Sequence, residues 1–228
     1  MKILGLELDS RKIAFLLIFS VLSFAFYQFN FSEIVGSESK ASFTFFQFIG
    51  PIGGGILGGV AGAISVLLVE VVNFFLTGKA LDLMTVIRFF PMAFAAIYFA
   101  STRKTPAFVA LICIALFWLH PIGQEAWFYP LYWVIPFAAT FYRQNLFVRS
   151  LGTTFTAHAV GSVAFLYAFN LPAEVWIALI PIVAMERLAF AAGISVMHYA
   201  VTTMLSAFSS RIDFSFLNIE TKYALWRA

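Results

Sequence analysis

Four charged side chains interrupt long apolar stretches of this 228-residue sequence: Glu70, Arg88, Glu186 and Arg187. A charge at the centre of a lipid bilayer costs roughly 2.5–3.5 kcal/mol on insertion scales, so such residues are usually paired or used in function. The guanidinium of an arginine suits a carboxylate or phosphate, whereas a glutamate suits an amine or a ring N–H. The four residues predict a binding site for a small polar or zwitterionic molecule, with paired charges between packed helices as the competing interpretation.

His158 is the fifth predicted member of this site and is expected to close its floor. It follows Thr153, Thr154 and Thr156 along the chain, and Ser162 comes one helical turn later. One interpretation is a packing histidine whose ring is satisfied by these hydroxyl groups. The other is a ligand donor or a proton carrier, because histidine titrates near neutral pH.

The sequence carries few signals for catalysis or metal binding. His120, His158 and His198 show no HxxxH or HxxE spacing, and Cys113 is the single cysteine, so we expect no metal site and no cofactor. We find no GxSxG, HExxH or phosphate-loop motif, which predicts that the chain is not an enzyme. The net charge of +3 is too small and too dispersed to indicate nucleic acid as a partner.

The composition indicates an all-α, polytopic membrane bundle, since 62% of the residues are hydrophobic and 11% are charged. An average soluble domain is about 25% charged. A membrane span needs about 20 apolar residues, and the chain predicts six to eight spans in a single domain, followed by a cytoplasmic tail at 207–228 that either lies on the membrane surface or frays. The predicted spans are 13–29, 43–58, 60–77, 84–102, 106–120, 127–142, 150–170 and 175–206. In the last of these, Pro181 is expected to separate a short outer helix from the span itself.

The distribution of basic residues predicts the orientation, because cytoplasmic loops are enriched in Lys and Arg. With a cytoplasmic N-terminus and eight spans, only Lys40 and Lys79 fall outside. The residues that fall inside are Lys2, Arg11, Lys12, Arg103, Lys104, Arg143, Arg149, Arg211, Lys222 and Arg227. We therefore expect a multi-pass protein of the cell membrane with both termini in the cytoplasm.

The same map places all four charges of the predicted site in the outer half of the membrane. Glu186 and Arg187 are adjacent and would point about 100° apart on a helix. They are therefore expected to pair poorly with each other and to find partners elsewhere.

A glycine-rich stretch lies inside the apolar run 43–77 and predicts a tight turn near Gly58 and Gly59. Gly54, Gly58 and Gly62 are spaced four apart, which would let another helix approach closely. Helix packing is one interpretation of this pattern. Broken backbone that lines a site, as in transporters with interrupted helices, is the other.

Four aromatic residues map to the outer end of the predicted spans: Trp118, Trp127, Tyr129 and Trp176. Aromatic belts are common at membrane interfaces, which is one explanation. The alternative is a pocket wall that stacks on a flat ligand.

The segment from Gly50-Pro51 through Gly62-Ala63 resembles the second-to-third helix region of the substrate-binding S components of energy-coupling factor (ECF) transporters. The resemblance covers about 20–30 residues, and it departs from the usual six-span core of that family. It implies a small membrane protein that captures a micronutrient from outside. It also implies delivery through a shared transmembrane coupling subunit and a pair of ATPases.

The leading hypothesis is therefore a substrate-capture subunit for a small, vitamin-like micronutrient, with membrane lipid around it and a separate energising module. Three alternatives remain open. The chain could be a self-contained carrier or channel in which His158 and Glu70 relay protons. It could also be a lipid-modifying membrane enzyme or a non-catalytic subunit of a membrane complex.

Overall fold

The computed structural model describes residues 2–3, 6–7, 9–33, 42–78 and 80–226. Lys40, Lys79 and Arg227, which entered the predicted charge distribution, lie outside the described residues. The described chain is mostly helical. Its elements in order are β1 (Lys2–Ile3), β2 (Leu6–Glu7), α1 (Ser10–Tyr27), β3 (Asn30–Glu33), β4 (Ser42–Thr44), α2 (Phe46–Leu57), α3 (Gly59–Thr77), α4 (Leu83–Ala100), α5 (Phe108–Leu119), α6 (Pro121–Glu125), α7 (Ile135–Ala139), α8 (Leu146–Phe169) and α9 (Ala173–Phe208). Short 3₁₀ helices lie at Thr105–Ala107, Tyr129–Val134, Thr140–Tyr142 and Thr221–Tyr223.

Four helices of the described chain are long and apolar enough to cross a membrane, namely α1, α3, α4 and α9. The prediction of an all-α membrane bundle is confirmed at this level. Helix α2 is apolar but shorter, at 12 residues. At 1.5 Å per residue it measures about 18 Å, which is less than the hydrocarbon core of about 30 Å.

Side-chain caps explain where several helices begin. The carboxylate of Asp9 accepts a hydrogen bond from the Lys12 N–H, and that of Asp82 accepts one from the Thr85 N–H, each at 2.7 Å. These caps satisfy backbone donors that have no partner inside the helix. Helices α1 and α4 therefore start at the residues that follow the two aspartates.

The glycine-rich segment forms two helices joined at Gly58, whose φ of 93° belongs to the left-handed region. The tight turn expected near Gly58 and Gly59 lies at this residue. A Cβ added to Gly54 would overlap the carbonyl oxygen of Ala96 on α4, and one added to Gly62 would overlap the backbone of Gly54. Gly54 and Gly62 thus let α2 approach α4 and α3 closely, whereas Gly58 makes the turn.

The predicted span 127–142 is not one regular helix. It consists of the 3₁₀ helix Tyr129–Val134, then α7, then the 3₁₀ helix Thr140–Tyr142. Pro130 and Pro136 lie near the starts of two of these pieces. A proline has no backbone N–H to donate, so it interrupts the regular α-helical hydrogen bonds.

Helix α9 runs through Pro181 without a break and has 36 residues. The expected division of this segment at Pro181 is therefore wrong. A proline removes one backbone hydrogen bond, and a long helix packed against its neighbours tolerates that loss. At 1.5 Å per residue the helix is about 54 Å long.

The segment after α9 is docked against the bundle and is neither frayed nor a surface helix. We call residues 209–226 the C-terminal segment. The Asn218 N–H donates to the Ile56 carbonyl at 2.9 Å, and the Tyr223 hydroxyl donates to the Gln144 carbonyl at 2.9 Å. Leu217 and Tyr223 are buried in the core, which the sequence alone did not predict.

The bundle has two distinct ends. At one end the strands β3 and β4 form an antiparallel hairpin, which we call the hairpin end. At the other end the C-terminal segment meets the beginning of α1, where Arg11 and Asp213 form an ion pair at 2.7 Å. The beginning of α1 and the segment after α9 therefore lie at the same end of the bundle.

Candidate functional site

A cavity of about 150 Å³, which we call the deep cavity, lies toward the hairpin end between α1, α3, α4, α8 and α9. Its wall contains all five residues that the sequence predicted as substrate-binding: Glu70, Arg88, His158, Glu186 and Arg187. These residues are up to 117 positions apart along the chain (187 − 70) and come from four helices. The structure thus brings them together at one cavity, while their role in binding remains a prediction.

Glu186 and Arg187 form an ion pair, with 3.3 Å between Oε2 of the carboxylate and Nη2 of the guanidinium. The expectation that these neighbours pair poorly is wrong. The long arginine side chain bends back far enough to bridge the angle between adjacent helical positions. The Arg187 side chain is 3% exposed and that of Glu186 is 17% exposed, so the pair is largely withdrawn from water.

Arg187 is held by further contacts inside the bundle. Its Nη1 donates to the Thr154 hydroxyl at 3.2 Å, and the guanidinium lies 4.2 Å from the ring centre of Phe190 and 5.0 Å from that of Phe43. A cation over an aromatic face is attracted to the ring electrons. Within the described chain, its buried Nε has no hydrogen-bond partner. Arg187 is thus fixed in place by contacts through both of its Nη atoms, while its Nε–H is unused.

Glu186 also reaches the hairpin. The Ser32 hydroxyl of β3 donates to Oε1 of Glu186 at 3.4 Å. Nη2 of Arg88 donates to the Ser42 carbonyl of β4 at 3.1 Å. The two strands of the hairpin are therefore each tied to a charged side chain of the deep cavity.

His158 is held in one tautomer by its neighbours. The indole N–H of Trp133 lies 3.0 Å from Nδ1, and an indole can only donate, so Nδ1 must be the acceptor. Nε2 then carries the proton and lies 3.1 Å from the Tyr129 hydroxyl and 3.3 Å from the Ser162 hydroxyl. A neutral ring fits this arrangement. A proton added at Nδ1 would face the Trp133 donor, which does not suit a proton relay.

The threonines before His158 do not satisfy its ring. Thr153 and Thr156 each donate to the carbonyl four residues earlier, at 2.8 Å. Thr154 accepts from Arg187 instead. Only Ser162, of the hydroxyl residues considered from the sequence, contacts the imidazole.

Glu70 is buried on α3, and the Tyr27 hydroxyl at the end of α1 donates to its Oε2 at 3.0 Å. Tyr27, Glu70 and Arg88 line the deep cavity and also a second cavity of about 470 Å³. We call the second one the mouth cavity. Its wall adds polar residues from the hairpin and from the adjoining ends of α3 and α4, among them Asn30, Ser42, Thr44, Asn73, Asp82 and Thr85. A polar chamber thus adjoins the deep cavity across three shared side chains.

The aromatic residues of the predicted outer belt divide into two groups. Tyr129 and Trp176 are buried, pack at 5.1 Å between ring centres and line the deep cavity. Trp118 and Trp127 are 41% and 57% exposed, and the Trp118 indole donates to the Trp127 carbonyl at 2.6 Å. The location of Tyr129 and Trp176 fits a pocket wall, whereas the exposure of Trp118 and Trp127 fits an interfacial belt.

Sequence reasoning missed several members of the site. Tyr27, Phe43 and Trp133 contact its charged or imidazole groups, and Thr154, considered from the sequence as a partner of His158, contacts Arg187 instead. Tyr27 is the last residue of the apolar helix α1, which is a weak sequence signal for a site residue. Phe43 and Trp133 carry no such signal, because their contacts join parts of the chain that are distant in sequence.

A second polar cluster lies at the opposite end of the bundle. Nη1 of Arg149 pairs with Oε1 of Glu220 at 2.7 Å, and its guanidinium lies 4.3 Å from the ring centre of Phe99. Burial raises the pKa of the Glu220 carboxyl, but the hydrogen bond and charge of Arg149 outweigh it, and the pKa falls below the ordinary value. Arg149 was assigned to a cytoplasmic loop, yet it lies in the first turn of α8 with its side chain 8% exposed. This cluster anchors the C-terminal segment.

Within the described residues, no group of three His, Cys, Asp or Glu side chains is arranged to hold a metal ion. The deep cavity instead offers two carboxylates, two guanidinium groups and several hydroxyls among aromatic walls. Such a set can bind a small organic molecule through ion pairs, hydrogen bonds and ring contacts.

The chain is similar to the uncharacterized protein MJ0923 of Methanocaldococcus jannaschii, with 26% identity over 211 residues. The match covers 82% of this chain and 70% of that protein. No protein family model matches the chain. No solved structure matches it either.

Proposed function

We propose that this chain captures a small polar, vitamin-like micronutrient within the cell membrane and works with a separate energising module. One observation carries the proposal: five polar side chains from four helices line a single cavity toward one end of an apolar bundle. Ionisable residues at membrane depth usually mark a substrate pathway or a paired cluster. Here they share a cavity with aromatic walls, which favours the first.

The proposed topology has both termini in the cytoplasm and eight helical passes, of which α2 and the 129–142 segment are irregular. The ion pair between Arg11 and Asp213 supports an even number of passes, because it joins the beginning of α1 to the segment after α9. The excess of Lys and Arg at that end supports its cytoplasmic placement. The hairpin end and the mouth cavity would then face outward, toward an external substrate.

In the proposed complex, Arg88 binds the negative end of the substrate. Glu70 or Glu186 binds an amine or a ring N–H, and His158 offers its Nε2–H network at the floor. Tyr129 and Trp176 provide faces for a planar group. The direction of entry is through the mouth cavity, since Arg88 and Glu70 line both chambers.

The resemblance of the glycine-rich segment to ECF S components supports a partnership with a transmembrane coupling subunit and ATPases. The close contacts at Gly54 and Gly62 are made inside this chain, with α4 and α3. They do not supply a docking face for the coupling subunit, so such a face is expected elsewhere on the lipid-exposed helices.

Native mass spectrometry of the gently purified protein tests the proposal. We expect a small molecule to be retained by the wild type and by Arg211→Gln, a control at an exposed arginine. We expect it to be lost from Arg88→Gln. Retention by Arg88→Gln, or a wild type that carries only lipid, would argue against capture at this cavity.

A transport assay tests the energising module separately. Purified protein in liposomes, without any ATPase, is expected to bind the retained molecule and not accumulate it. Accumulation driven by an ion gradient would instead support a self-contained carrier.

A further inference from the structure

The charges that line the deep cavity balance one another. Glu70 and Glu186 contribute two negative charges, and Arg88 and Arg187 contribute two positive charges. The hydrogen bond from the Trp133 indole holds His158 in its neutral form, so the imidazole adds none. The formal charge of the wall is therefore zero before any ligand enters.

This balance matters because most of the cavity wall is apolar. A charge brought into a low-dielectric site without a counter-charge carries a large desolvation cost. An ion that entered would leave one net charge in the cavity. A neutral molecule, or a zwitterion, would leave the balance unchanged.

The walls and the size restrict the shape of the ligand. Phe43, Tyr129, Phe165 and Trp176 are among the lining residues, and such faces favour a planar group. The cavity volume is about 150 Å³. An apolar cavity of about this size holds one benzene ring.

We propose that the deep cavity selects a net-neutral compound with a single ring and discriminates against ions that carry the same ring. The polar groups of the compound meet Arg88 at one end and a glutamate at the other, while the ring lies against Tyr129 and Trp176. This inference rests on the proposed function, because it takes the deep cavity to be the place of capture.

Three pyridine probes of almost equal size test the selectivity: nicotinamide, which is neutral, nicotinate, an anion, and 1-methylnicotinamide, a cation. Binding is measured by isothermal titration to the full chain in detergent after removal of any co-purified molecule. We expect nicotinamide to bind at least about tenfold more tightly than either ion, a difference that titration resolves readily. An ion that binds as tightly as nicotinamide would overturn the neutral-ligand inference, and failure of all three probes would overturn the single-ring inference.

A charge variant sharpens the test. Arg88→Gln gives the cavity a net charge of minus one, so we expect the ranking to shift toward 1-methylnicotinamide. Arg211→Gln is the matched control and is expected to keep the wild-type ranking. An unchanged ranking in a folded Arg88→Gln protein contradicts the charge argument. If that variant does not fold, the wild-type ranking alone decides.

Native mass spectrometry separates this inference from the proposed function. A retained molecule that is ionic or has several fused rings would leave capture standing and overturn the selectivity. A wild type with no retained molecule that also binds none of the probes would overturn both.

Discussion

The ion pair between Glu186 and Arg187 allows a quantitative prediction about stability. At the observed 3.3 Å, the attraction between two unit charges is about 5 kcal/mol for an effective dielectric of about 20. Removing one partner of a buried pair typically costs about 3–5 kcal/mol, because the other charge is left without compensation. Thr154 and the aromatic faces still hold Arg187, so we expect Glu186→Gln to cost about 3 kcal/mol, at the lower end of that range.

This cost is measured by thermal melting in detergent, in which size-exclusion chromatography monitors the folded fraction that remains after heating. For a chain of this length each kcal/mol moves the melting temperature by about 2–4 °C, so a fall of roughly 6–12 °C is expected. Glu174→Gln is the matched control, since Glu174 is exposed in the first turn of the same helix. That change removes a favourable dipole contact of about 0.3–1 kcal/mol and nothing more.

The double variant Glu186→Gln with Arg187→Met decides whether the loss comes from the unpaired charge. Methionine keeps part of the apolar stem between Phe43 and Phe190 and removes the guanidinium. We expect the double variant to recover most of the stability lost by Glu186→Gln. If it melts as low as the single variant, or if Glu186→Gln melts no lower than Glu174→Gln, then the pair does not stabilise the fold and the reasoning is refuted.

Three further predictions concern packing, pH and the site. Gly54→Ala is expected to cost about 1–3 kcal/mol of stability through overpacking against α4. Gly59→Ala is the control and should be neutral or stabilising, because its added Cβ has its nearest neighbour at 3.6 Å. The melting temperatures of the two variants test this difference. The lowered pKa of Glu220 means that its ion pair with Arg149 contributes fully above the ordinary glutamate value of about 4.3 and is lost as the pH falls through the folded pKa. Glu220→Gln should therefore melt below the wild type at neutral pH, and this difference should shrink in acid, whereas a constant difference would contradict the assignment. Tyr27→Phe removes one hydrogen bond to a cavity carboxylate and should cost about 1 kcal/mol and weaken retention of the bound molecule in native mass spectrometry.

The positions of Glu70 and Arg88 along their helices could be derived from the sequence, because the predicted spans 60–77 and 84–102 nearly coincide with α3 and α4. Glu70 lies in the second half of α3 and Arg88 near the start of α4, and both line one cavity. Which way a side chain faces depends on the rotation of each helix, and that is set by packing. The contact between Trp133 and His158 is of this kind, because it joins an irregular segment to a different helix.

Backbone irregularity and long-range docking were the features that the sequence did not predict. The 129–142 segment has the composition of a span, yet Pro130 and Pro136 divide it into short pieces. Arg149 was placed in a loop because it flanks an apolar run. Its burial depends on Glu220, 71 residues away, and no local sequence pattern indicates that contact.

The two arginines of the deep cavity differ in how readily a ligand can reach them. Arg187 is paired with a carboxylate, bonded to Thr154 and covered by two aromatic rings, so a ligand that took its guanidinium would have to replace several contacts at once. Arg88 donates to the Ser42 carbonyl on the hairpin and lines both cavities. When a ligand oxygen takes over the hydrogen bond from Arg88, the Ser42 carbonyl at the edge of the mouth cavity can accept one from water instead. This exchange costs little free energy. We therefore expect Arg88 to bind the substrate, while Arg187 contributes a fixed positive charge that keeps the cavity wall neutral.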